Sequence, residues 1–446
     1  MKRAVAVLLP LFALTISLAA QSTATKPLQI YVVDTEGGKA ALYVSPTGQS
    51  LLIDSGNPGG RDTDRIMAAV NDAGLKQIDY LISTHYHVDH IGGMEELAKR
   101  IPIGHFIDHG PSVETREQVP GFAQTTYPEL YAKAKHTVVK PGDRVPITGL
   151  DWRIVTSAGQ AIKTPLPGGG RPNPACAQIA PKEASATDDN GQSVGSVVTF
   201  GRFRAIDLGD LLWNKESELM CPNNPVGTVD VYFVTHHGLD LSGSPVVVHA
   251  VRPRVAIMQN GTRKGGGLEA LATMRSSPGL EDIWQLHWAY GAGLEQNSAG
   301  VFIANVDDAA TVAGVLTAPP RGGGPGGGRG AGAPGQAAPP AGGLPPAGAV
   351  PPAGGVPPPA AVPTPGGVPP GGAAPVPGGV SPAGPAPQGV SAPALGGRAG
   401  GGRGAGGGGA AAHTPAYWIK VSAQQDGTFT VTNSRNGFSK TYAPRR

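Results

Sequence analysis

Ser83-Thr84-His85-Tyr86-His87-Val88-Asp89-His90-Ile91-Gly92-Gly93 gathers three histidines and an aspartate between positions 85 and 90. An apolar run, Tyr80-Leu81-Ile82, precedes it, and Met94 to Arg100 follows with a helix-like pattern. The order reads as strand, loop, helix, with the polar residues on the loop. His85 and His87 alternate, so at a strand end they point to the same side. Asp89 and His90 then turn toward a neighbouring position. One short loop can thereby offer two nitrogens to one metal ion, and an oxygen plus a nitrogen to a second. Imidazole and carboxylate are zinc ligands, and manganese or iron accept the same atoms. The competing reading is a polar loop that is histidine-rich by chance, and the H-x-H-x-D-H spacing is too specific to favour it.

One segment shapes the totals. The chain has 446 residues with 68 glycines and 45 prolines, and both types concentrate after Thr317. Residues 318–412 are almost only Gly, Pro, Ala and Val, without an acidic or aromatic residue. Such a stretch cannot build a core and is expected to be disordered. It lacks a strict Gly-X-Y period, which argues against collagen. It reads as a plain linker, with contact to the cell envelope as the alternative role. Residues 26–317 suffice for one large domain. Within 413–446, Tyr417 to Val421, an Asp426-Gly427 turn and Thr428 to Thr432 read as a β-hairpin. A lone hairpin is marginal in water, so this one is expected to dock on the main domain and make the low-complexity segment an insertion.

Net charge is +3, too small to argue for a nucleic-acid or membrane partner. Lys2 and Arg3 are followed by an apolar run from Ala4 to Leu18, then Ala19-Ala20-Gln21. This is the pattern of a signal peptide over 1–20, and a periplasmic or secreted protein is expected. An uncleaved anchor is the rival, but the run is short for a membrane span. In an oxidising compartment Cys176 and Cys221 can be bridged, with two unpaired thiols as the alternative.

Leu28 to Asp34, Ala40 to Val44 and Ser50 to Ser55 read as strands, and Asp62 to Gly74 as a helix with Ile66, Ala69, Val70 and Ala73 on one face. Val138 to Val145 reads as a turn-linked strand pair around Pro141-Gly142. Pro165 to Asn190 reads as a long loop over the site edge. A hairpin around Gly201-Arg202 delivers Asp207-Leu208-Gly209-Asp210, and Val231 to Val234 delivers Thr235-His236-His237-Gly238. Val255 to Met258, Ile283 to His287 and Val301 to Val306 read as late strands.

Through the H-x-H-x-D-H loop the chain resembles the metallo-β-lactamase superfamily, over roughly residues 28–305. The resemblance implies an α/β fold, a four-layer αββα sandwich with the metal site at one edge of its two sheets. It implies that Asp54, in Leu52-Ile53-Asp54-Ser55-Gly56, supports the metal loop from beneath. It makes Asp210 the carboxylate bridging two ions, with Asp207 as fallback. His237 is favoured as the last ligand and His236 as a substrate-side or supporting group, with the reverse assignment as the alternative. The implied metal ligands are His85, His87, Asp89, His90, Asp210 and His237. A third histidine that many members give the first ion is absent: its place reads Ser157-Ala158-Gly159, and His109 is the nearest substitute. Within the superfamily, Asn190-Gly191-Gln192-Ser193, Gly209-Asp210-Leu211 and His236-His237-Gly238 are similar to the hydrolase domain of competence-type DNA-uptake proteins. Asn190 is then expected to reach the site. That group also carries a Gly-His-Pro histidine where this chain has Thr262-Arg263-Lys264-Gly265, and His287 is expected to compensate by facing the cleft.

The implied protein is an exported zinc-dependent hydrolase, with two ions and a metal-bound hydroxide as nucleophile. Asp89 also orients the hydroxide, and His236 and His287 protonate the departing oxygen. A small-molecule or phosphodiester substrate is expected, a phosphodiester or related ester first, with lactam or lactone hydrolysis second. A surface-binding protein that keeps a metal only for folding is the non-enzyme alternative.

Overall fold

Both faces of the first sheet are apolar, and that decides how its neighbours pack. A computed structural model describes residues 26–114, 121–182, 187–293, 295–306 and 416–445. The leader pattern at 1–20 and the Pro/Gly-rich segment at 318–412 lie outside them. In the first sheet β1 (Leu28–Val32), β2 (Ala41–Val44) and β3 (Ser50–Ile53) form an antiparallel meander. β4 (Tyr80–Ile82), β5 (His105–Asp108) and β6 (Lys135–Val138) extend it in parallel. Side chains alternate along each strand. Ile30, Val32, Leu51 and Ile53 enter the core between the sheets. Tyr31, Leu42 and Leu52 pack the other way, on helices Arg61–Asp72 and Met94–Arg100. The longer helix buries Ile66, Ala69 and Val70 on one face and carries Asp62 and Asp64 in its first turn, where acidic side chains suit the helix dipole.

In the second sheet β7 (Arg144–Val145), β8 (Asp151–Ser157), β9 (Gly195–Phe200) and β10 (Phe203–Asp207) are antiparallel. β11 (Val231–Phe233), β12 (Val255–Met258), β13 (Asp282–His287) and β14 (Ile303–Asn305) continue from β10 in parallel. Helices Trp213–Met220, Pro245–Val251 and Leu268–Arg275 cover its outer face. The layers therefore run helix, sheet, sheet, helix. Between the sheets Tyr43 meets Trp152 and Phe233 edge-on, ring centres 4.8 and 6.0 Å apart, the geometry that aromatic quadrupoles favour.

The C-terminal strands complete the first sheet. β15 (Ile419–Ala423) pairs antiparallel with β1, Leu28 opposite Ala423 and Val32 opposite Ile419. β16 (Phe429–Asn433) follows, and β17 (Ser439–Tyr442) adds a third strand that the sequence does not suggest. Ser439-Lys440-Thr441 is polar; the strand is anchored by buried Tyr442, whose hydroxyl accepts from Trp284 Nε1 at 3.0 Å and donates to Asp282 at 2.6 Å. Asn305 exchanges hydrogen bonds with the backbone of Tyr417 at 2.9 and 3.0 Å. The described chain on either side of the Pro/Gly-rich segment is thus joined at Asn305 and Tyr417.

Two expectations about loops are corrected. β6 and β7, expected to pair around Pro141-Gly142, belong to different sheets. The Pro-Gly turn reverses the chain but does not dictate the partner, and here it carries the chain across the sandwich. The described residues of 165–190 do not hang over the site as one loop. Leu166 N and Gly170 N donate to Pro225 O and Asn224 O at 2.8 and 2.7 Å, and Asn173 Nδ2 donates to Val246 O at 2.8 Å. Cys176 and Cys221 are joined by a disulfide, Cα atoms 5.8 Å apart. Among the described residues of the stretch, its end reaches the metal loop, where Asp188 lies 3.9 Å from His87.

Candidate metal centre

The loop after β4 is held from below by Asp54. This residue follows β3 with φ of 58°, an uncommon conformation for a side chain with Cβ, and its bonds sustain it. Its carboxylate accepts from Thr84 N at 2.8 Å, Thr84 Oγ1 at 2.7 Å and His90 Nδ1 at 2.8 Å. Gly93 lets the loop close down, since a Cβ there would stand 2.3 Å from Ser55 O. On the second sheet, His236 N donates to Gly209 O at 3.0 Å, and Asp210 N donates to Ser193 Oγ at 3.2 Å. His236 and His237 both take positive φ, 55° and 56°, which turns both rings toward Asp210.

Asp89, His90, Asp210 and His237 converge, each offering one ligand atom within 4.8 Å of the others. His90 Nε2 lies 3.2 Å from Asp210 Oδ2, 3.3 Å from Asp89 Oδ2 and 3.3 Å from His237 Nε2. His237 Nε2 lies 3.3 Å from both carboxylates. The outer nitrogens explain the arrangement. His237 Nδ1 sits 3.1 Å from the main-chain oxygen of Gln259, an atom that only accepts, so Nδ1 carries the hydrogen. His90 Nδ1 likewise faces the Asp54 carboxylate. Rings held this way turn Nε2 inward, toward two carboxylate oxygens, and the centre of the group demands positive charge, met by a proton or by a cation. Burial works against a charged His90, yet Asp210, Asp89 and Asp54 lift its pKa well above the ordinary value. Burial would raise Asp210, but His237, His90 and His236 hold it well below the usual carboxylate range. Asp210 Oδ1 is buried with no hydrogen-bond partner among the described residues. Two imidazoles, two carboxylates and an orphaned oxygen fit a divalent cation.

His85 is buried with Nε2 4.0 Å from Asp210 Oδ2. His87 turns instead to Glu114 Oε2, at 3.1 Å. His236 Nε2 stands 3.5 Å from Asp210 Oδ2 and its Nδ1 3.1 Å from Ser242 Oγ. Burial pushes His236 down to about 4, which keeps its ring neutral near pH 7. Asn190 lies in the Asp189–Gln192 turn, buried, its side-chain oxygen without a partner among the described residues.

Several sequence-based candidates lie elsewhere. His287 does not face the cleft: it is fully buried at the end of β13, its Nε2 2.7 Å from Asp34 Oδ1. Asp34 in turn binds Arg65 at 2.9 Å, and this internal ion network explains the histidine. Asp207 pairs with buried Lys39 at 2.9 Å and is not a spare ligand. His109 is held by Asp189, Nε2 to Oδ2 3.3 Å, and does not replace the third histidine. Three residues that the sequence reading passed over do enter. Glu114 and Asp188 face His87. Lys264 forms an ion pair with Asp89 and, outweighing burial, holds that carboxylate well below its ordinary range. Lys264 lies where the resemblance leads one to expect a Gly-His-Pro histidine. Gly265 lets that loop sit on His237, since a Cβ would come within 1.9 Å of His237 O.

Residues 34–167, from the end of the first strand past the metal loop, match the model of the metallo-beta-lactamase superfamily. The chain is 26% identical over 225 residues to the competence protein ComA of Neisseria gonorrhoeae, a match covering 50% of this chain and 26% of that protein. It is 27% identical over 115 residues to the hydroxyacylglutathione hydrolase of Klebsiella pneumoniae, covering 26% of this chain and 36% of that one. The chain thus spans 26% and 36% of the lengths of these two relatives. Among solved structures, the metallo hydrolase Igni18 of Ignicoccus hospitalis aligns with 14% identity and a TM-score of 0.32, covering 52% of this chain and 82% of that one. Beside that match over residues 34–167, the αββα layers and the convergent loop give the chain the fold expected of the metallo-β-lactamase superfamily.

Proposed function

We propose that the protein is an exported, zinc-dependent hydrolase of a phosphodiester or related ester. The observation that carries this is the inward-facing group of Asp89, His90, Asp210 and His237, with Lys264 half-exposed beside it. A pair of divalent ions would supply Lewis acidity and a water acidic enough to attack near neutral pH. The chain's own residues do the positioning. Asp54 and the Gln259 carbonyl fix the rings of His90 and His237. Ser193 fixes the loop of Asp210. Neutral His236, oriented by Ser242, sits beside Asp210 and can hydrogen-bond a departing oxygen. Lys264 places a cation where an anionic substrate would approach. That charge, and the 26% identity over 225 residues to the competence protein, support a phosphodiester over an uncharged lactone.

Export is supported by the leader pattern and by the Cys176–Cys221 bridge, since such bonds persist in oxidising compartments. The test of substrate class is a parallel assay of a bis-aryl phosphate, a chromogenic lactam and a simple lactone. Turnover of the phosphodiester, abolished by chelation, is expected. Clear turnover of the lactam or lactone with none of the phosphodiester overturns the assignment.

A further inference from the structure

His87, Glu114 and Asp188 form a second cluster, each offering one ligand atom within 4.8 Å of the others. His87 Nε2 lies 3.1 Å from Glu114 Oε2 and 3.9 Å from Asp188 Oδ1. We propose that these three residues, with His85, form the second cation position of the centre, two carboxylates serving where a third imidazole is missing. The proposal rests on the metal-dependent reading above.

Asp189 builds the cluster. Its buried carboxylate accepts from Tyr86 N at 2.8 Å, His109 Nε2 at 3.3 Å, Ser112 Oγ at 2.9 Å and Val113 N at 3.1 Å. Each proposed ligand is a chain neighbour of this clamp: His87 of Tyr86, Glu114 of Val113, Asp188 of Asp189 itself. One anion therefore draws together three segments far apart in sequence and sets their ligand atoms in advance. Asp188 is fixed further, its Oδ1 accepting from Asn190 N at 3.0 Å.

His85 gives the independent sign of a cation. Its Nδ1 lies 3.1 Å from Thr84 Oγ1, whose own hydrogen goes to Asp54 at 2.7 Å. Nδ1 is then the donor, and Nε2 carries a lone pair. That atom is fully buried and meets no donor among the described residues. The His85 ring stands between the two groups, centred 4.6 Å from that of His87 and 4.1 Å from that of His90. A buried acceptor so placed calls for a cation. The oxygen-rich set also makes this position harder than a three-imidazole one, more hospitable to Mn2+.

The test is metal binding by the full chain, stripped and then titrated with Mn2+ or with Zn2+. Metal per chain is measured by elemental analysis, and Mn2+ coupling by electron paramagnetic resonance. Wild type is expected to hold two ions with a spin-coupled Mn2+ signal. Glu114→Gln should hold one, uncoupled, with an unchanged circular-dichroism spectrum. Glu114→His should regain the second ion and shift its preference from Mn2+ toward Zn2+, which a merely structural glutamate would not do. Two coupled ions in Glu114→Gln, or no regained ion in Glu114→His, overturn the proposal and leave the metal-dependent reading intact. No ion in the wild type overturns that reading itself.

Discussion

Asp210→Ala is expected to lose both metal and turnover. The Asp210 carboxylate lies between His90 at 3.2 Å, His237 at 3.3 Å, His236 at 3.5 Å and His85 at 4.0 Å. Among the described residues no other side chain meets all four rings; without it Asp89 still joins His90 and His237, but His85 and His236 lose the anion that ties them to the centre. The expected fall in kcat is roughly a hundredfold or more, the upper end of what even a supporting residue around a metal costs. His236→Ala provides the contrast. His236 touches the same carboxylate but lies outside the four-group cluster, so kcat should fall while bound metal stays. Equal metal loss in both variants would make His236 a ligand.

Truncation after Thr317 is expected to unfold the domain, whereas replacing 318–412 by a short Gly/Ser linker leaves its melting temperature unchanged. β15 to β17 bring Ile419, Val421, Phe429, Val431 and Tyr442 into the core between the sheets, each almost fully buried. Burying such side chains contributes about 1.5–3 kcal/mol each. Their sum is comparable to the whole stability of a typical domain, about 5–15 kcal/mol. Losing them also uncovers β1. The contact between Asn305 and Tyr417 means that a short linker spans the gap. Equal melting curves for the two variants would contradict the role given to these strands.

What the sequence reveals, and what it hides, follows from the range of the forces involved. The H-x-H-x-D-H loop, Asp54 and His236-His237 are legible because short local patterns set them at strand ends. The apolar alternation of β1 to β3 is legible for the same reason. Glu114 and Asp188 are not, because Asp189 brings their loops to His87 across the fold and no spacing records that clamp. Lys264 is hidden by its residue type, since its loop is where a histidine is sought. His287 misleads because a strand end can turn its side chain to a cleft or to an interior ion network, and Asp34 decides between them. Pro141-Gly142 misleads similarly, as a turn fixes a reversal and not a sheet. β17 has a single apolar anchor, Tyr442, too little for any periodic signal.

Metal dependence of turnover tests the central claim most directly. Purified full-length protein should carry transition metal by elemental analysis and hydrolyse a bis-aryl phosphate. A chelator should remove both, and zinc or manganese should restore them together. Full phosphodiester turnover by protein containing no transition metal would contradict the account.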